Sequence, residues 1–203
     1  RPLHYRSDGL RFCNMAYTWS KFQVGNYSQS EVNGFRGLAN TGIIKLLDFR
    51  ESFTEKSYER MKSLKMIENK SYVVNGKEIT VVRLTRTGKK FVKAAMVDKL
   101  YKYNPRQLAH DMKLSDKYMS LSEKERSTWV HEGKMAEQYE KMGIPKEKIE
   151  SGEIQTVDGC YTNSAGEIVA VEIVTSNYSA DTVNGKMAAM RYFSGGGIID
   201  RIR

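Results

Sequence analysis

The chain has 203 residues, 40% hydrophobic and 28% charged, the balance of a globular protein long enough for one large domain or two small ones. No apolar run approaches the roughly 18 residues of a membrane helix, and Arg1–Phe22 lacks the continuous apolar core of a signal peptide, so a cytoplasmic protein with no membrane partner is expected. The formal charge of +9 is unevenly placed: residues 1–103 hold 20 Lys and Arg against 9 Asp and Glu, a net +11, whereas residues 104–203 hold 13 against 15, a net −2. A basic half attracts polyanions, and phosphate neutralisation supplies most sequence-independent affinity for DNA. The first residue is Arg rather than Met, so further residues are expected to precede it.

Cys13 and Cys160 stand alone, without a CxxC pair or a Cys/His cluster, and read as two buried thiols of a reducing compartment. His4, His110 and His131 show no zinc-ligand spacing.

In chain order, Arg6–Phe22 is compatible with a helix, and residues 23–40, rich in Gly, Ser and Asn, read as irregular or as short helices. From Gly42 the pattern sharpens. Ile43, Ile44, Leu46, Leu47 and Phe49 fall largely on one helical face, Arg50-Glu51-Ser52 breaks it, and Phe53–Ile67 predicts a second helix capped by Ser52 or Thr54. Ser71–Val74 and Glu78–Leu84 are strands around Asn75-Gly76, the strongest short signal for a hairpin turn. Thr85-Arg86-Thr87-Gly88 leads into another helix through Phe91, Val92, Ala95 and Met96.

Helix, turn, helix, hairpin, helix is the order of a winged helix-turn-helix, in which the second helix enters the major groove and the hairpin touches backbone or minor groove. Double-stranded DNA is therefore the expected partner. Lys56, Ser57, Arg60 and Ser63 would face the groove, while Lys77, Arg83, Arg86, Lys89 and Lys90 would meet phosphates. The same fold also serves as a protein-interaction adaptor, and that alternative stays open.

Tyr101–Pro105 is the expected boundary, which gives residues 1–103 to the winged helix and 104–203 to a second domain. That second part opens with a helix from Pro105 to about Tyr118. A longer one, Glu123–Met142, is capped by Ser122 and stopped by Gly143 and Pro145; it offers a surface for a homodimer. Lys146–Ile154 reads as loop or short helix. Val157–Tyr161 and Glu167–Val174 flank a turn at Asn163–Gly166, and the incomplete alternation of the second strand predicts burial on both faces. A helix over Asp181–Phe193, a Gly-rich stop at Ser194–Gly197 and a short strand through Ile198, Ile199 and Ile202 complete the chain.

Glu132 on a helix with Asp158 and Glu172 at two strands is a set of carboxylates able to hold a divalent ion through oxygen. It matches the metal cradle of the restriction-endonuclease-like fold, whose usual signature is Asp, a spacer and Glu-x-Lys. Here Glu172-Ile173-Val174 has Val in place of Lys, and Lys186 on the following helix is the only candidate for a displaced lysine. No cofactor is expected unless the chain cleaves DNA, in which case Mg2+ or Mn2+ would sit on Asp158 and Glu172.

Over roughly residues 40–193 the chain resembles the replication-relaxation proteins of bacterial plasmids and mobile elements. The resemblance rests on Leu84-Thr85-Arg86-Thr87-Gly88, Leu108-Ala109-His110-Asp111, Trp129-Val130-His131-Glu132, Val157-Asp158-Gly159 and Gly166–Ile173. Val157 departs from the family's Pro. The resemblance implies a winged helix joined to a degenerate restriction-endonuclease-like α/β domain, acting in plasmid replication, DNA relaxation or mobilisation. The combined expectation is an α+β, non-enzymatic DNA-binding protein of a plasmid, phage or mobile element, acting in replication, its control or transcription, with a partner protein from those processes. A metal-dependent nuclease or nicking enzyme is the alternative.

Overall fold

The computed structural model describes residues 26–74, 76–141, 143–174, 179–190 and 198–202. These residues are a mixture of helix and sheet in two compact units that divide after Ser122. The expected helix at Arg6–Phe22, Asn75 of the hairpin turn, most of the break at Ser176–Ala180, the end of the last helix and the Gly-rich stop at Ser194–Gly197 lie outside the described residues. Among the described residues no helix is long and apolar enough to cross a membrane.

The N-terminal unit runs through α1 (Gln29–Thr41), β1 (Ile43–Lys45), α2 (Leu46–Phe53), α3 (Glu55–Ser63), β2 (Ile67–Val74), β3 (Lys77–Leu84), α4 (Arg86–Ala95), a 3-10 turn (Pro105–Gln107) and α5 (Leu108–Ser120). Helix α1 occupies much of the stretch expected to be irregular. It starts at a capping box: the Ser28 hydroxyl accepts from the Glu31 N–H at 3.3 Å, and the Glu31 carboxylate accepts from the Ser28 N–H at 2.6 Å.

The helix expected from Gly42 begins instead as a strand. Ile43 and Ile44 are both fully buried, but on opposite faces of a three-stranded antiparallel sheet of order β1-β3-β2. Ile44 joins Phe35, Leu38, Phe49, Met61 and Val82 in the larger core, whereas Ile43 packs with Val81, Leu108 and Met112. Adjacent residues buried on opposite sides have the two-residue period of a strand. Leu47, taken for that helical face, is exposed. The second helix also ends sooner than expected, at Ser63, because Ile67 is already the first rung of an eight-residue ladder with β3.

Both faces of this sheet carry helices, and this moves the division of the chain. Leu108 and Met112 of α5 cover the face opposite α1 and α3, so α5 belongs to the first unit and the boundary falls after Ser122 rather than Tyr103.

The C-terminal unit contains α6 (Glu123–Ser127), β4 (Val130–His131), α7 (Glu132–Lys141), α8 (Lys146–Glu150), β5 (Gly159–Thr162), β6 (Ile168–Ile173), α9 (Ala180–Met190) and β7 (Ile198–Ile202). The single helix expected over Glu123–Met142 is thus two helices interrupted by a strand. Trp129, Val130 and His131 are all buried, Val130 and His131 pair with β5, and the Thr128 hydroxyl accepts from the Thr162 N–H at 2.9 Å. Sheet order is β4-β5-β6-β7, antiparallel except for β6 with β7, which run parallel on either side of α9. Every residue of β6 is buried, as its pattern predicts. Cys160 is likewise a buried thiol, packed with Met135, Tyr139 and Ile168.

Candidate functional site

The turn between α2 and α3 is tight. Thr54 takes φ 65° and ψ 143°, a region that a β-branched residue enters only at a cost. Its side chain caps α3, accepting from the Ser57 N–H at 3.3 Å and donating to the Ser57 hydroxyl at 3.0 Å. The Ser30 hydroxyl donates to the Phe53 carbonyl, and the Arg50 guanidinium grips the Glu55 carboxylate across the turn. This contact holds the Glu55 carboxyl below and the Arg50 guanidinium above their ordinary ranges, through the hydrogen bond first.

Helix α3 divides the four residues expected to face a groove. Lys56 and Ser63 are exposed, the Ser63 hydroxyl donating to the Arg60 carbonyl of its own helix. Ser57 is buried in the cap. Arg60 is turned towards α1: Nη1 donates to both oxygens of Glu31 at 2.9 and 2.7 Å, Nη2 donates to the Asn26 carbonyl at 2.7 Å, and the guanidinium lies 5.3 Å from the Tyr27 ring centroid. Glu31 is 1% exposed and the Arg60 side chain 45% exposed, so the pair bolts the two helices together with one edge of the guanidinium in water.

The five residues expected to meet phosphates divide in the same way. Lys77 at the hairpin end and Arg86, Lys89 and Lys90 at the start of α4 are exposed. Arg83 is engaged within the unit, donating from Nε to Glu68 at 2.8 Å and from Nη1 to the Tyr103 phenol oxygen at 2.6 Å. The Tyr72 and Tyr103 hydroxyls lie 3.1 Å apart. Burial, and then the hydrogen bond with Tyr103, push Tyr72 up to about 12. Burial works against ionisation of Tyr103 too, but there the hydrogen bonds of Tyr72 and Arg83 outweigh it and the phenol sits below its ordinary range.

Lys93 completes a basic face on α4 that the reading of the sequence missed. The signal was present, since Arg86, Lys89 or Lys90, and Lys93 follow the i, i+3 or i+4, i+7 spacing of one helical side.

The start of α4 is fixed by the Thr85–Gly88 motif. The Thr85 hydroxyl accepts from the Gly88 N–H at 3.0 Å and lies 2.6 Å from the Lys65 carbonyl, to which it donates. A Cβ on Gly88 would stand 2.0 Å from the Met66 carbonyl oxygen, so only glycine lets the helix begin there. The His110–Asp111 segment is also architectural. Buried Asp111 accepts from the Tyr101 hydroxyl at 2.8 Å and the Asn104 N–H at 2.6 Å, with His110 Nδ1 at 3.1 Å.

In the C-terminal unit, Asp158 lies just before β5 and its Oδ2 accepts from the Ile173 N–H at 2.7 Å. Glu172 on β6 meets Lys186 of α9, Nζ to Oε1 at 2.5 Å. Glu132 starts α7, where its Oε1 accepts from the Thr156 hydroxyl at 3.2 Å and its N–H donates to the Asp158 carbonyl at 3.0 Å. The four residues therefore share a neighbourhood, and Lys186 reaches Glu172 as a displaced lysine would. They do not form the expected cradle of three acids: among the described residues no group of three or more His, Cys, Asp or Glu side chains is placed to hold a metal ion. Gly159 is the first residue of β5. A Cβ there would stand 2.5 Å from the Trp129 ring, which stacks on Tyr161 with centroids 6.2 Å apart. Burial, above all, pushes the nearby Tyr139 phenol above its ordinary range.

No family model, curated protein or solved structure matches this chain.

Proposed function

We propose that this protein binds double-stranded DNA through its N-terminal unit, a winged helix. The observation that carries the reading is the order helix, strand, helix, helix, hairpin on a β1-β3-β2 sheet, with exposed lysines and arginine on α3, the hairpin and α4. Lys56 and Ser63 read the groove. Lys70 and Lys77 on the hairpin and Arg86, Lys89, Lys90 and Lys93 on α4 meet phosphates. Ser57, Arg60 and Arg83, engaged within the unit, hold the frame. The C-terminal unit is a degenerate restriction-endonuclease-like domain, a reading supported by its β4-β5-β6-β7 order and the parallel β6–α9–β7 crossover. The resemblance to replication-relaxation proteins supports a role for this DNA binding in a plasmid, phage or mobile element, in replication, its control or transcription.

The test is affinity of the full chain for a mixed-sequence duplex across a salt series. Steep loss of affinity with salt, with a shallower slope in a Lys77→Ala, Lys89→Ala, Lys90→Ala variant, supports the reading. Absence of binding at low salt overturns it in favour of a protein-interaction adaptor.

A further inference from the structure

The C-terminal unit buries charge on both sides of one contact. Glu172 is 4% exposed on a strand with no exposed residue, and Asp158 is 5% exposed. Gly159 pairs with Val171, and Asp158 just before it accepts from the Ile173 N–H, so Asp158 and Glu172 lie close together at one end of the β5–β6 pair. A carboxylate withdrawn from water on a buried strand calls for a cation beside it.

Helix α9 supplies it. Lys186 is only 9% exposed, and its ammonium lies 2.5 Å from Glu172 Oε1. The preceding residue packs tightly too. A Cβ on Gly185 would stand 2.9 Å from the Gly152 carbonyl oxygen, and the Gly185 carbonyl accepts from the Gln155 N–H at 3.1 Å. The bare position 185 lets α9 pack closely on the 152–155 segment, one residue before Lys186.

We propose that the ammonium of Lys186 is the resident cation of Glu172, beside Asp158, in the seat a divalent ion would take, so that the C-terminal unit is complete without a metal. The donor set fits an ammonium. One oxygen of Glu172 is in direct contact with Nζ, Asp158 Oδ2 is committed to a backbone N–H, and Glu132 is bonded to Thr156. A lysine brings one charge and three N–H donors on a flexible stem. The inference is independent of DNA binding by the N-terminal unit, and duplex affinity is not its readout.

The experiment is thermal unfolding of the full chain with and without Mn2+, in the wild type, Lys186→Met, Lys186→Ala and the double variant Lys186→Met, Glu172→Gln. The wild-type midpoint is expected not to respond to Mn2+. Lys186→Met leaves a buried carboxylate uncompensated and lowers the midpoint by roughly 10 °C, and Glu172→Gln in the same chain recovers most of it. Lys186→Ala opens the seat, and Mn2+ restores part of its loss. Stabilisation of the wild type by Mn2+ overturns the proposal and makes the carboxylates a metal site with Lys186 beside it. A Lys186→Met midpoint equal to the wild type, or no Mn2+ response in Lys186→Ala, also overturns it. Should the single variants fail to fold, a folded double variant and a wild type indifferent to Mn2+ support the proposal, while Mn2+ stabilisation of the wild type still defeats it.

Discussion

The β2–β3 ribbon and the β5–β6 pair are both antiparallel hairpins, each with a glycine at positive φ in its turn, Gly76 in one and Gly166 in the other. They are used in opposite ways. Most of β2 is exposed, Val73 near the turn is 76% exposed, and the ribbon presents Lys70 and Lys77 to water. Strands β5 and β6 are buried almost throughout, at the centre of a four-stranded sheet. A ribbon at the edge of a core can carry charge freely and make a recognition surface of it. A strand at the centre must settle any charge it carries, and Glu172 does so with Lys186. The lesson is that the same turn chemistry serves both, and the residues flanking the turn decide which.

The sharpest way to break the comparison is to damage one unit at a time. Gly88→Ala drives a methyl group into the Met66 carbonyl, which cannot give way without moving β2 or α4, and is expected to cost about 3 kcal/mol. Gly159→Ala pushes on the Trp129 ring, a side chain, and is expected to cost about 2 kcal/mol. Denaturant unfolding measures both. Duplex affinity should then fall with Gly88→Ala and hold with Gly159→Ala. Equal loss of affinity in the two variants would show that the carboxylate-bearing unit binds DNA as well.

Arg60→Ala comes next. It leaves Glu31 buried without its guanidinium and is expected to cost about 2 kcal/mol, less than a fully buried pair because Arg60 is half in water. Glu31→Gln in the same chain should return part of the loss. If Arg60 instead reads a groove, the single variant will keep the wild-type midpoint and lose affinity.

What the sequence made legible follows from these contacts. The hairpin around Asn75-Gly76, the Thr85-led helix and the buried run of β6 stand out because each rests on a local signal: a turn dipeptide, a cap, an unbroken apolar string. The three residues of β1 and the two of β4 are too short to show a period, and only pairing with β3 and β5 makes them strands. The capping box at Ser28–Glu31 was a local signal overlooked among small polar residues. For the candidate sites, composition located the basic half and spacing located the acids. Whether a charge faces water or a neighbour is a tertiary fact, and Arg60 and Arg83 look no different in the sequence from Lys77.

The smallest effects separate a charge that meets a phosphate from one that holds the frame. Lys77→Ala is expected to leave stability within about 0.5 kcal/mol of the wild type, since its side chain is exposed at the hairpin end. It should reduce the slope of log affinity against log salt by about 0.9, one phosphate contact. Arg83→Ala removes a partner of both Glu68 and Tyr103, so it should lower the thermal midpoint and leave the salt slope unchanged. Val73→Ser at the same ribbon carries no charge and is the control: neither midpoint nor slope should move. A salt slope that Arg83→Ala lowers as much as Lys77→Ala would mean that the Tyr103 contact opens on DNA, and that the ribbon exchanges an internal hydrogen bond for a phosphate when it binds.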